Sequence, residues 1–162
     1  EATYRAYLRA CKANGWSIAV KVHPAGESNG QQGVQWSAKV AQEEGVHGAI
    51  AAGQNEVFMQ AVDCWTSPAT SSLMTEAAIC DVPSTAIDPT PPRYRWPDRQ
   101  APEQDLEAQI ARACKAMLTP EWRIERQADR QRHVYEMNYL CDGRATERVL
   151  GWVSEIMPEV KP

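Results

Sequence analysis

The sequence predicts an α/β fold, a parallel sheet with flanking helices followed by a C-terminal helical tail. Over the first 90 positions, short apolar runs rich in β-branched residues alternate with patterns of helical period. Strands separated by such helices are joined by right-handed crossovers, which make the sheet parallel and cover both of its faces. The 162 residues suffice for one domain with a core, but not for two ordinary domains.

The first strands and helices are predicted from hydrophobic spacing and from stop signals. Apolar residues lie at helical spacing over 3–13, and Gly15 ends that helix. The apolar run SIAVKV predicts a strand over 17–22. A polar, glycine-rich loop separates it from a helix over 35–44, after which VHGAIA predicts a short strand over 46–51.

The second half of the predicted sheet follows the same alternation. A short helix over 54–61 precedes a strand over 62–66, and a helix over 71–80 precedes a strand over 82–87. The strand over 62–66 runs into small polar residues, so the next helix is expected to start near its carboxyl end.

The rest of the chain is predicted to be a proline-rich loop and helices. Five prolines within 88–102 exclude regular structure there. An apolar stripe predicts a helix from Leu106, and Thr119 with Pro120 supplies a hydroxyl cap and a proline at the first helical position of the next one. A last helix presents an apolar face that includes Val149.

These patterns divide the chain into three parts. Residues 1–90 form the α/β core, residues 91–102 form the loop, and residues 103–162 form helices that pack on the same domain. The chain opens on a helical pattern without Met, whereas an α/β domain more naturally opens on a strand. We therefore expect an excised portion of a longer polypeptide.

Composition and motifs exclude several classes of function. The net charge is −4, so no basic excess favours nucleic-acid binding. No apolar run is long enough to span a membrane, and no signal-peptide pattern is present, so we expect a cytoplasmic protein. The absence of GxGxxG, Walker A and GxSxG patterns argues against a nicotinamide enzyme, a P-loop NTPase and an α/β-hydrolase.

The cysteines and histidines do not predict a metal site. Five cysteines are scattered along the chain, and none forms a Cys-x-x-Cys pair. We interpret them as reduced packing residues of a cytosolic protein rather than as a disulfide framework or a metal site. The three histidines have no metal-ligand spacing with each other or with cysteine.

Residues 62–88 carry the most informative pattern, VDCWTSPATSSLMTEAAICDVPSTAID. A helix that opens on Ser71 and Ser72 after a strand presents N–H groups and the positive end of its dipole, which favour an anion such as phosphate. Glu76 is expected one turn deeper on the same face, where a carboxylate accepts hydrogen bonds from ribose hydroxyls. The alternatives are that the serines only cap the helix and that Glu76 is a solvated charge.

His23 and two further clusters are additional candidates. His23 follows the strand over 17–22 at its carboxyl end, where ligands bind in open α/β sheets, so it either contacts a phosphate or simply faces solvent. The segment 93–96 interleaves cations and aromatics, and it either closes over a base or an anionic acceptor or is a connector pinned by aromatic packing. The mixed charges of 121–133 indicate a solvated helix face.

Together these motifs resemble the C-terminal, donor-nucleotide-binding half of GT-B-type glycosyltransferases. Within that group they are similar to bacterial capsule and teichoic-acid enzymes of the CDP-glycerol glycerophosphotransferase type. The likeness is carried by VKVHP, by the pattern of 62–88 and by the tail YLCDGRATERVLGWV, and it covers nearly the whole chain. It implies that 1–90 is a Rossmann-like nucleotide-binding core whose first strand is missing.

The resemblance also assigns roles to the candidate residues. It implies that His23 contacts the donor's phosphate or nucleotide, that Ser71 and Ser72 hold the diphosphate, and that Glu76 holds the ribose. Preorganised N–H groups, hydroxyls and an imidazole stabilise negative charge on a departing phosphate, so His23 is the one candidate catalytic residue. The substrate implied is a nucleotide-activated sugar or a CDP-polyol, with no separate cofactor.

A second domain is the implied partner. GT-B enzymes carry the acceptor site, and often the catalytic base, on an N-terminal domain, which has to be supplied in cis or in trans. The isolated segment is therefore expected to be inactive, and its parent to act in bacterial surface polysaccharide synthesis at the inner face of the membrane. Two alternatives stay open: a sugar-nucleotide epimerase-like domain on the same fold, and a non-enzymatic Rossmann-like interaction module.

Overall fold

The computed structural model describes residues 1–23, 30–52, 55–67, 71–87, 99–138 and 141–156. Within these ranges the chain alternates helices and strands before an all-helical C-terminal part, which confirms the predicted α/β class. The helices are α1 (Ala2–Asn14), α2 (Gln31–Glu43), α3 (Asn55–Ala61), α4 (Leu73–Ile79), α5 (Leu106–Met117), α6 (Pro120–Asn138) and α7 (Ala145–Ile156). The strands are β1 (Ile18–Val22), β2 (Gly48–Ala52), β3 (Trp65–Thr66), β4 (Ser84–Ile87) and β5 (Arg99–Gln100).

The described strands form two small parallel sheets. β1 pairs with β2, in register from Ile18 opposite Gly48 to Val22 opposite Ala52. β4 lies between β3 and β5, which gives the order β3-β4-β5. Every described pair is parallel, which confirms the prediction for β1–β2 and β3–β4, the pairs whose strands are separated by helices.

Two glycines are required by the geometry of the first sheet and its preceding helix. A Cβ atom on Gly48 would collide with the backbone oxygen of Ile18, so glycine permits β2 to approach β1. Gly15 ends α1 in the left-handed region, with φ of 67°, and its N–H bonds back to the last turn of the helix. The predicted stop signal of α1 is thereby confirmed.

One stretch departs from its predicted structure. The prolines within 88–102 predict no regular structure, yet Arg99 and Gln100 form β5 beside β4. Neither residue is proline, and β5 is a two-residue edge strand, where neighbouring prolines remove no hydrogen bond from the ladder. α2 begins at Gln31, within the predicted polar loop, rather than at position 35, and β3 is limited to Trp65–Thr66. The other described elements lie close to their predicted positions.

Among the described residues the core consists of three apolar clusters, two of which lie on opposite sides of β4. The third lies between α1, α2 and the first sheet and comprises Leu8, Val40, Ala41 and Val46. One cluster lies between α3, α4 and the β3–β4 pair and includes Phe58, Trp65, Met74 and Ala86. The α1–α5 cluster comprises Ala6, Ala10, Ile87, Ile110, Ala113, Cys114 and Met117, with Tyr7 and Cys64 among the side chains packed against it. Because neighbouring residues of β4 enter opposite clusters, both faces of this strand are covered, as expected for a parallel sheet.

The C-terminal helices differ in burial. α5 packs against α1 and β4, and α6 packs against α4. α7 contains no buried residue, and its apolar side chains are exposed. No helix in the described part of the chain combines the length and the apolar character needed to cross a bilayer.

Candidate functional site

The candidate site is built around the start of α4. Ser71 and Ser72 directly precede this helix, and Glu76 lies in its first turn. Ser72 is the N-cap residue, but its backbone is already helical (φ −59°, ψ −22°) and its side chain makes no capping hydrogen bond. The Ser71 hydroxyl instead accepts a hydrogen bond from the N–H of Leu73 at 3.3 Å. Ser71 therefore caps the helix, which agrees with the alternative interpretation that these serines only cap it.

The N–H groups of the first turn of α4 bond within the chain. The N–H of Met74 donates to the carbonyl oxygen of Ser71 at 3.1 Å. Those of Thr75 and Glu76 donate to the carbonyl oxygen of Ser72 at 3.0 and 3.1 Å. A phosphate placed here would meet the exposed Ser72 hydroxyl rather than these amides, so the predicted contact through first-turn N–H groups requires a rearrangement.

Glu76 has a partner that the sequence analysis does not identify. Asn55, the first residue of α3, donates from Nδ2 to Oε2 of Glu76 at 2.9 Å. The Glu76 residue is half-buried, so it is not the fully solvated charge of the alternative interpretation. Asn55 lies 21 residues away in sequence, and its only signal is that an asparagine starts a helix, which is equally typical of a simple cap.

Ser67 is a second polar residue that sequence reasoning overlooked. It directly follows β3, and its Oγ atom is buried without a hydrogen-bond partner among the described residues. Buried hydroxyls of this kind are uncommon, because leaving one unsatisfied costs free energy. The small polar residues that end the predicted strand were the available signal for its position.

His23 lies where it was predicted, directly after β1, and it is exposed. In the described part of the chain no hydrogen bond joins it to Ser71, Ser72 or Glu76, and β1 belongs to the other small sheet. The structure thus brings Ser71, Ser72 and Glu76 together at one short helix and adds Asn55. It shows no such link for His23.

α6 anchors α4 at two points. Thr75 Oγ1 is 3.1 Å from Nε2 of His133. Arg130 Nη2 donates to Oδ1 of Asp81, just beyond α4, at 2.9 Å. Arg130 and His133 are only 4% and 6% exposed, so the prediction of a solvated face over 121–133 is wrong for them. Mixed charges indicate a solvated helix only when no partner faces them, and here Thr75 of α4 and Asp81 just after it supply partners.

Some predicted features lie outside the described residues. These are the cation–aromatic segment 93–96, Pro24 of the His-Pro pair, and residues 68–70 between Ser67 and Ser71. Within the described ranges, no three His, Cys, Asp or Glu side chains are arranged to hold a metal ion.

Comparison with protein-family models, with curated proteins and with solved structures finds no match to this chain. The described residues themselves form an α/β protein with parallel strands and a helical C-terminal part.

Proposed function

We propose that this chain is the donor-binding part of a glycosyltransferase or polyol-phosphate transferase that uses a nucleotide-diphosphate donor. The observation that carries the proposal is the Asn55–Glu76 pair next to Ser72. A half-buried carboxylate held by an amide is a fixed acceptor for the two hydroxyls of a ribose. The Rossmann-like fold of a GT-B C-terminal domain belongs to the same proposal, supported by the parallel strands and their intervening helices.

The serines supply the phosphate contacts in this proposal. A hydroxyl that accepts one hydrogen bond keeps its own hydrogen to donate, so Ser71 can cap Leu73 and still donate to a phosphate oxygen. Ser72 is exposed and its hydroxyl makes no bond to the helix. His23, at the end of β1, is assigned to the departing phosphate.

The proposal includes a second domain for the acceptor, in cis or in trans. The donor is a nucleotide-activated sugar or a CDP-polyol, and the parent protein acts in bacterial surface polysaccharide synthesis at the cytoplasmic face of the membrane. These statements are supported by the sequence resemblance, and the Asn55–Glu76 hydrogen bond supports the donor site alone.

A nucleotide titration followed by NMR tests the proposal. With UDP, CDP, GDP and CMP added in turn, one diphosphate is expected to shift the resonances of Asn55, Ser72 and Glu76. Glu76→Gln is expected to weaken binding about tenfold and Ser72→Ala about fivefold, the factors typical of losing a charged and a neutral hydrogen bond. Glu155→Gln and Ser154→Ala, on the exposed α7, are matched controls that should leave binding unchanged.

Two outcomes would contradict the donor-site proposal. If the folded chain binds no nucleotide up to the solubility of each, the interaction-module alternative is favoured. If both site variants bind as tightly as the two controls, the nucleotide site lies elsewhere. Conversion of a sugar nucleotide to its epimer without an acceptor would favour the epimerase alternative instead.

A further inference from the structure

The two small sheets present the same two faces to the same helices. Ile18 of β1 packs against α1 and α2, and Ile87 of β4 belongs to the α1–α5 cluster. The next residue of β1, Ala19, and the preceding residue of β4, Ala86, pack instead with α3 and α4. Because α1 lies on one face of both sheets and the α3–α4 side chains lie on the other, the two sheets are side by side in a single layer.

The handedness of the connections shows which edges of the two sheets face each other. α2, on the face of α1, joins β1 to β2, whereas α3 and α4, on the other face, join β2 to β3 and β3 to β4. Right-handed crossovers on opposite faces of one layer advance in opposite directions, so the order is β2-β1 followed by β3-β4-β5. β1 and β3 are thus the inner edges, and no pairing between them is present among the described residues.

Both inner edges have the character of strands that lack a neighbour. β1 is half-buried at all five positions although helices pack on both of its faces, whereas β4, with strands on both edges, is buried at all four. The N–H of Trp65 bonds to Pro83 on the β4 side, so the N–H of Thr66 points to the inner edge. Trp65 is 7% exposed, yet its Nε1, like Oγ of Ser67 just after β3, has no hydrogen-bond partner in the described part of the chain. Polar groups therefore face the gap from the β3 side.

We propose that one extended apolar segment of the polypeptide that leads into α1 inserts between β1 and β3 as a parallel strand and joins the two sheets into one. The crossover from β1 to β2 has its helix on the face of α1 and advances away from β3. A right-handed crossover through α1 into β1 therefore starts on the β3 side of β1. A strand that is covered on both faces is apolar throughout, so Val and Ile suit this position. The inference does not rest on the proposed function, because it concerns backbone edges and no nucleotide contact.

Hydrogen exchange resolved by residue with NMR tests the open edge of β1 in the whole chain. Successive N–H groups of a strand point to opposite edges, so alternate amides of β1 bond to β2 and the others face the gap. We expect the gap-facing amides to exchange at least tenfold faster than their β2-facing neighbours, because no strand protects them. Equal protection of neighbouring amides along β1 would overturn the proposal, since it would show that this edge is already paired.

A second experiment supplies the strand. The whole chain is extended before Glu1 by Val-Ile-Val-Ile-Val and a Gly-Asn-Gly-Ser linker, since connections from a strand to a helix are about 2–6 residues long. A control extension carries Val-Ile-Pro-Ile-Val in the same place, because proline removes a ladder donor and is not accommodated in a central strand. Circular dichroism confirms that both extended chains are folded.

The same exchange measurement then compares the two extended chains. We expect the uninterrupted extension to slow the gap-facing amides of β1 and the amide of Thr66 at least tenfold, and the proline extension to leave them unchanged. Joint protection identifies a strand that pairs with both sheets, since β1 and Thr66 belong to different ones. Equal exchange in the two extended chains, or protection of β1 with Thr66 unchanged, would overturn the proposal.

Discussion

Arg130 is a buried cation that links α6 to the residue following α4. Its Nη2 atom donates to Asp81 at 2.9 Å, and its guanidinium carbon lies 5.4 Å from the centre of the Trp122 ring. The Arg130 side chain is 5% exposed and that of Asp81 is 75% exposed, so only the cation has lost its hydration. Because a buried cation is costly without a partner, the bond from Arg130 to Asp81 fixes the residue after α4 against α6, while Trp122, on α6 itself, covers the guanidinium.

Arg130→Ala is expected to lower the free energy of unfolding by about 2 kcal/mol, since it removes a charged hydrogen bond, the cation–π contact and buried side-chain packing. Urea unfolding followed by circular dichroism measures this change. Arg132→Ala, at a position 68% exposed on the same helix, is the control and should stay within about 0.5 kcal/mol of the unsubstituted protein. Equal losses for the two variants would contradict this account of Arg130.

At the scale of elements, charged side chains join α1 to its neighbours. Glu44, directly after α2, accepts hydrogen bonds from Arg9 at 2.8 Å and from Arg5 at 2.9 Å, both on α1. Arg9 also lies 3.5 Å from Glu107 of α5. Hydrogen bonds from Arg9 and Arg5 lower the pKa of Glu44 from 4.5 to about 2. The ionised form of Glu44 is thus coupled to the docking of α1 on α2.

This coupling predicts how stability depends on pH. The folded-state pKa of Glu44 is below its unfolded value, so its contribution is present above pH 4.5 and is lost as the pH falls towards 2. Glu44→Gln should therefore lower the Tm near neutral pH and flatten its fall across that acidic window, as scanning calorimetry can measure. Glu155→Gln, exposed on α7, should leave the curve unchanged. Parallel curves for Glu44→Gln and the unsubstituted protein would exclude this role.

On the scale of the whole molecule, burial falls off along the C-terminal helices. Five residues of α5 are buried: Gln109, Ile110, Ala113, Cys114 and Met117. No residue of α7 is buried. The hydrogen bonds that Arg144 and Arg148 donate to Asp142 lie at the start of this helix. A helix of 12 residues is marginal in water when its apolar face is not packed.

Hydrogen exchange should reveal this gradient. The amides of α7 are expected to exchange at least tenfold faster than those of α5, because local opening costs least where no side chain is buried. Exchange followed by mass spectrometry on the whole chain makes the comparison within one molecule. Equal protection of the two helices would show that the exposed face of α7 is covered in solution.

The order and type of the elements were predictable because their signals are local. Helical spacing, Gly15 as a stop and Pro120 at a first helical position act through the nearest turns of the chain. Ser71, Ser72 and Glu76 were also identified from a local signal, because a helix start after a strand is visible in the sequence. The short strand β5 was missed because its pairing with β4, rather than its own composition, makes it a strand.

Sequence alone therefore determined the α/β class and the position of the candidate residues along the chain. Only the tertiary structure decided that Asn55 holds Glu76, that Ser71 and the first-turn amides of α4 bond within the chain, and that Arg130 is buried. Helices follow from interactions within about four residues, whereas strand pairing, as at β5, and side-chain pairing depend on how distant elements pack. For Asn55 and Glu76 that separation is 21 residues, which no local pattern spans.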